Sequence, residues 1–169
     1  MRCYPFAIMA LYNEDYETYL EMDCRLTNPS TVVIKGIKRY IRSIIKALHG
    51  HNKEDILSLY HFPEPPPDIT HQKGWFEHAL YCSYLSLRES HDYDSGIKLV
   101  ISLGGDTDTN AHIAGALLGA YYGYDLMSQN TEFSDNLEII LERDPNSGDF
   151  PRPEEYGPST VKNIIEHFR

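Results

Sequence analysis

Apolar residues recur at three- and four-residue steps along most of the chain, and no two-residue alternation replaces that rhythm. The clearest stretch runs from Thr31 to Leu48. Val33, Ile37, Tyr40, Ile41, Ile44 and Leu48 make one stripe, Ser30 stands at the N-cap position and Gly50 stops the helix. Before it, Asn13 or Glu14 opens a segment with an acidic start that reads as helical to about Leu26 and ends at Asn28-Pro29. Lys53 to Tyr60 reads as a short helix. Trp75 to Leu87 reads as a longer one, with Phe76, Leu80, Tyr84 and Leu87 on one face. Asp94 to Leu103 and Ala111 to Tyr122 follow, separated by Gly104-Gly105, and Asp135 to Glu142 and Ser159 to His167 read as shorter helices. Two stretches carry no period. Pro63-Glu-Pro-Pro-Pro-Asp68 is a stiff extended connector, and Asp144 to Pro158, rich in Pro, Gly and Asn, is loop. The pattern predicts an all-α fold, a multi-helix bundle without internal repeats.

Charge and composition narrow what such a bundle could bind. The 169 residues hold 15 Lys plus Arg against 25 Asp plus Glu, a net of −10. That balance argues against general nucleic-acid binding. A substrate carrying phosphate would need local positive charge, from a metal ion or a basic patch. Hydrophobic residues make up 41% of the chain, enough for one core. The longest near-apolar stretch, Ile113 to Tyr124, is 12 residues, short of the roughly 20 that cross a bilayer. Cys3 to Tyr12 loosely imitates a signal peptide, but Pro5 interrupts it and no small-x-small site precedes Glu14-Asp15. A cytoplasmic location is therefore the expectation. The cysteines, at positions 3, 24 and 82, show no metal-type spacing and read as structural thiols in a reducing compartment.

The sharpest chemical feature is Gly104-Gly105-Asp106-Thr107-Asp108-Thr109. Within a helix, residues i and i+2 point roughly 200° apart. Asp106 and Asp108 can converge only in a turn just before a helix, and the two glycines give the backbone that freedom. With Thr109 they offer hard oxygen donors, suited to magnesium, calcium or manganese rather than zinc. The competing reading is an ordinary capped helix start, since Asp and Thr are favoured N-caps. Beyond the turn, Ala111, Gly115, Gly119 and Gly123 fall every four residues. That stripe reads as a face for close helix packing, which would hold the acidic turn rigid.

Leu103-Gly-Gly-Asp-Thr-Asp-Thr-Asn-Ala-His-Ile-Ala-Gly-Ala-Leu-Leu-Gly-Ala-Tyr-Tyr-Gly123 resembles the C-terminal signature of the ADP-ribosylglycohydrolase family. That family includes the dinitrogenase reductase-activating glycohydrolases and the ADP-ribosyl-acceptor hydrolases. Met1-Arg2 with Pro5 is similar to the family's Met-Arg-x-x-Pro segment. Arg25-Leu-Thr-Asn-Pro29 is similar to its Leu-Thr-His-Pro turn, and Gly74-Trp75 to Leu87 to the helix before the signature. The resemblance covers Met1 to about Asp125. It implies a domain over 1–125 with a C-terminal extension over 126–169. It also implies a cleft holding two magnesium ions, with manganese as a substitute. The family's reaction is hydrolysis of the glycosidic bond joining ADP-ribose to a protein side chain. The metal ligands of the motif fall on Asp106, Asp108 and Thr109, and the position beside ADP-ribose falls on Asn28. His112, four residues after Asp108 on the same helix face, reads as an ordinary polar contact, with a contact to the metal site or substrate as the alternative.

The resemblance is incomplete in two ways. The family's remaining metal ligands and its acidic catalytic residue belong to an N-terminal half, and no Gly-Asp-x-x-Gly segment precedes the Met-Arg here. Gly148-Asp149 is the only other Gly-Asp, and it lies in the tail. The histidine of the Leu-Thr-His-Pro turn is Asn28, which keeps a donor and an acceptor but loses the ring. The expectation is therefore the C-terminal half of such a hydrolase. It would be completed by an N-terminal half from another chain or an upstream reading frame, or would persist as a non-catalytic form binding ADP-ribose or an ADP-ribosylated protein; the face a missing half would cover makes a homo-oligomer a further expectation. Among lesser signals, Lys35, Lys38, Arg39, Arg42 and Lys46 share one arc of the Thr31–Leu48 helix. They read as a solvated face or a docking surface for an acidic partner. Trp75, Phe76, Tyr81 and Tyr84 read as core. His49, His51, His71 and His78 form no zinc spacing. Cys82 and Ser83 lack a partner histidine for nucleophilic catalysis.

Overall fold

The structure, a computed structural model, describes residues 2–143, 149–161 and 163. Among these residues every regular element is helical and no strand occurs. The chain divides into two units, the break falling between Gly123 and Tyr124.

The first unit is a bundle of seven helices: α1 (Pro5–Met9), α2 (Tyr16–Thr27), α3 (Thr31–Leu48), α4 (Lys53–Leu57), α5 (Phe76–Glu89), α6 (Tyr93–Leu103) and α7 (Thr107–Tyr122). Helix α5 is its axis. Every residue from His78 to Leu87 is buried, so α5 needs neighbours all round, and α3, α6 and α7 supply them. Two buried hydroxyls fix the register of α3 on α5. Tyr84 and Ser43, both fully buried, share a 2.6 Å hydrogen bond, and Ser43 donates in turn to the Arg39 carbonyl. Burial pushes the Tyr84 hydroxyl up to about 12. Tyr40 donates to the Ile113 carbonyl at 2.6 Å and ties α3 to α7. The C-terminal ends of α5 and α7 meet where Tyr122 donates to the Ser90 carbonyl. The two helices form the most extensive pair in the unit, so their N-terminal ends share the opposite end of the bundle.

The packing corrects three readings of the sequence. Close approach holds at Gly115, where an added Cβ would stand 3.0 Å from the Tyr93 hydroxyl, but not at Gly123, which has open space around it. Gly123 instead ends α7 with φ +77°. The basic face of α3 is no free docking surface. Lys38 bonds Glu21 at 2.8 Å and Arg42 bonds Glu17 at 2.7 Å, both across to α2. Arg39 reaches Glu77, and Lys46 donates to the Asp55 carbonyl. Only the exposed Lys35 of the five continues to face solvent without such a contact among the described residues. Trp75 is not core. It stands at the N-cap of α5 and is 46% exposed, because its backbone there is still extended.

The second unit contains α8 (Tyr124–Met127), α9 (Thr131–Leu141) and one 3-10 turn, Glu154–Tyr156, inside the stretch expected to be loop. Asn130 caps α9 by accepting from the amides of Glu132 and Phe133. Most of the helix expected over Ser159 to His167 lies outside the described residues. No described helix is long and apolar enough to cross a membrane.

Candidate functional site

The acidic turn sits at the shared N-terminal end of α5 and α7. Gly104 and Gly105 have φ of +79° and +76°, a region that disfavours any side chain. A Cβ on Gly105 would also stand 2.6 Å from the Ile69 carbonyl oxygen. The proline-rich connector therefore presses on the turn from behind, with Ile69 buried. That contact requires glycine and fixes where α7 begins.

Helix α7 starts at Thr107, four residues earlier than its apolar period indicates. Asp106 occupies the N-cap position, but its side chain makes no capping hydrogen bond. Asp108 lies in the first turn and is exposed. The two carboxyls come within hydrogen-bonding reach because Asp106, with ψ of 72°, is outside the helix while Asp108 is inside it. The Asp106 side chain, and then the backbone amides of Thr109 and Asp108 itself, hold the Asp108 carboxyl below its ordinary value. Thr109 follows in the same turn. Asp106 is thus a helix-start carboxylate unused as a cap, which separates the turn from the capped start that its composition also fits. Paired carboxylates beside a hydroxyl are donor chemistry for a hard divalent cation. They form an incomplete cage: no group of three or more His, Cys, Asp or Glu suited to an ion occurs among the described residues.

The other residues singled out from the sequence have structural employment. Asn28 is the C-cap of α2, and its side-chain oxygen accepts from the Ser30 amide at 3.1 Å, beginning α3. Ser30 holds the N-cap position without a side-chain cap of its own. His112 is exposed one turn after Asp108, and its ring packs 5.5 Å from that of Tyr4. Arg2 is a tie between the N-terminus and α2, bonding both Asp23 carboxylate oxygens at 3.0 and 3.1 Å. Cys82 is fully buried, and burial pushes its thiol up to about 11, which keeps it an inert thiol. One polar residue near the turn escaped the sequence reading. Asn110 is 1% exposed and its side-chain nitrogen has no partner among the described residues. The available signal was its spacing, in step with the buried Ala114 and Leu117.

Known proteins match parts of this chain. An ADP-ribosyl glycohydrolase of Acanthamoeba polyphaga mimivirus is 45% identical over 49 residues, 29% of this chain and 15% of that protein. ADP-ribosylhydrolase ARH3 of Homo sapiens is 59% identical over 63 residues, 33% of this chain and 17% of that protein. The matched segment is thus less than a fifth of either relative's length. No solved structure matches the chain. The family model described as ADP-ribosylglycohydrolase matches residues 1–138, most of the sequence. The chain belongs to the ADP-ribosylglycohydrolase family.

Proposed function

We propose that this chain supplies the metal-holding turn of a hydrolase that releases ADP-ribose from modified protein side chains, through an N- or O-glycosidic bond. The observation that carries the reading is the uncapped Asp106 carboxylate held against Asp108 at a turn that only glycine can make. Asp106, Asp108 and Thr109 would hold magnesium, or manganese in its place. A bound ion would orient the ribose hydroxyls and offset charge in the transition state. The residues of the chain position that chemistry. Ile69 and the two glycines lock the turn, and the α5–α7 packing fixes its direction. Asn28 and His112 keep exposed polar atoms for the rest of the substrate. No acid–base residue is assigned within this chain.

A second reading has its own support. Two carboxylates and a hydroxyl are fewer ligands than a complete cage, and no larger acidic or histidine group stands among the described residues. By itself the chain would then bind ADP-ribose without turning it over. An ADP-ribosylated protein incubated with the chain, with magnesium and then with chelator, separates the two. Chelator-sensitive release of ADP-ribose establishes the hydrolase. Retention of the label together with measurable ADP-ribose binding establishes the second reading.

A further inference from the structure

The tetrapeptide Phe-Pro-x-Pro occurs twice in the chain, as Phe62-Pro63-Glu64-Pro65 and as Phe150-Pro151-Arg152-Pro153. The first unit takes up the ring of the first copy. Phe62 meets the Tyr60 ring edge-on at 5.0 Å and the Tyr81 ring at 6.2 Å, and the Arg88 guanidinium lies 4.1 Å over it. Tyr60 and Tyr81 are themselves buried. The second copy, in the second unit, has no such receiver. Phe150 is 91% exposed, the most exposed large hydrophobic residue among those described, and its ring has no aromatic or cationic partner among them. Every residue from 149 to 156 is exposed.

The backbone of the second copy is set before anything binds it. Pro151 and Pro153 lack amide hydrogens and have their φ fixed by the ring. Phe150 and Arg152 each precede a proline, which disfavours the helical region for both. Pro153 has φ −53° and ψ 143°, close to polyproline II. A segment already extended in this way loses little freedom on docking. Polyproline II turns once every three residues, so Phe150 and Pro153 share one face. Prolines three apart do not occur within 149–156, so the aromatic ring stands where a PxxP ligand has its first proline. Asp149, Glu154 and Glu155 flank that face, with Arg152 alone opposing them. Such a flank disfavours nucleic acid and anionic lipid and calls for a cationic rim. We propose that residues 149–156 dock into a protein domain with an aromatic-lined groove and a basic rim, Phe150 and Pro153 entering the groove. The receiver of Phe62, two tyrosines and an arginine, is the chemistry that such a groove would present. The segment lies beyond residues 1–138, which the family model matches, so the inference goes beyond the proposed hydrolase and does not need the Gly104–Thr109 turn to hold metal.

Titration calorimetry of the full chain with three recombinant domains, one each of the EVH1, SH3 and WW classes, tests this, since all three dock polyproline II ligands in aromatic grooves. At least one should bind saturably. Phe150→Ala should weaken that binding about tenfold or more, and Pro153→Ala by a smaller factor, with helix content checked by circular dichroism. Added salt should weaken it, because the carboxylates and the basic rim attract through solvent. Pro66→Ala, in the exposed part of the 63–68 connector, should leave it unchanged. The paired change Asp106→Asn with Asp108→Asn should also leave it unchanged, which separates failure here from failure of the hydrolase reading. The proposal is overturned if none of the three domains binds at millimolar concentration, or if Phe150→Ala binds as the native chain does. Binding lost with Pro66→Ala and kept with Phe150→Ala overturns it equally, and assigns the docking to the connector.

Discussion

Gly105 carries two separate demands, a φ of +76° and a place for the Ile69 carbonyl where a Cβ would go. Gly50, just past the end of α3, has the same φ of +76° with nothing within 4 Å. The pair isolates the second demand. Gly50→Ala should cost about 1 kcal/mol, the ordinary penalty of a left-handed residue. Gly105→Ala should cost roughly 2–3 kcal/mol, because backbone rather than a flexible side chain stands in the way. Urea unfolding of the two variants measures both, and equal losses would mean that the connector does not hold the turn. The same residue-scale logic explains what could be read in advance. Two glycines before paired aspartates announced a turn, and that turn is present. Whether Asp106 would cap its helix was not readable, since capping and metal-binding turns use the same residue types. Trp75 reads as core only by its place beside Phe76, Tyr81 and Tyr84, and as an N-cap residue with extended backbone it need not follow the helix face.

At the scale of elements, legibility followed how local each signal is. Helix α3 begins and ends where its stripe, Ser30 and Gly50 put it. Helix α1 has five residues, too few to establish a period, and was missed. The early start of α7 was missed because Asp and Thr favour caps over helix interiors. The buried Asn110 lies on the same face as Ala114 and Leu117, a polar position that a count of apolar residues passes over. The α2–α3 ion pairs were hidden for a related reason: Glu17 and Arg42 are 25 positions apart, and Glu21 and Lys38 are 17 apart. Those pairs carry a pH signature. At Glu17, burial pulls the carboxyl up, but the Arg42 and Lys38 contacts outweigh it and the net shift is down. At Glu21, the Lys38 hydrogen bond leads, followed by that of Arg25, and the shift is also down. Both groups start from 4.5. Their folded values lie lower, so their stabilisation is present above 4.5 and is lost as the pH falls through that value toward the folded one. Melting temperature measured from about pH 6 to about pH 3 should drop more for the native chain than for Glu17→Gln with Glu21→Gln. Parallel curves would show that the lattice across α2 and α3 contributes nothing measurable.

For the molecule as a whole, the open question is whether its acidity is general or focused. A net charge of −10 draws divalent cations weakly to the entire surface, so stabilisation by magnesium alone would not locate a site. The turn makes a sharper demand. Asp106 and Asp108 are held within reach of each other at the start of the folded α7, so an ion bridging them favours the folded state over the unfolded chain. Such an ion stabilises by linkage, by about 2.7 kcal/mol at a hundredfold excess over its dissociation constant. Replacing both by asparagine removes 2 of 25 acidic residues. General attraction then falls only slightly, while a focused site disappears. Melting should therefore rise with magnesium in the native chain and remain nearly flat for Asp106→Asn with Asp108→Asn, at matched ionic strength. Manganese should act like magnesium, since both take hard oxygen donors. An equal rise in both proteins would assign the effect to the surface and remove the turn as a metal site. No rise in either would mean that two carboxylates and a hydroxyl are too few to hold the ion, and that the remaining ligands must come from outside this set of residues.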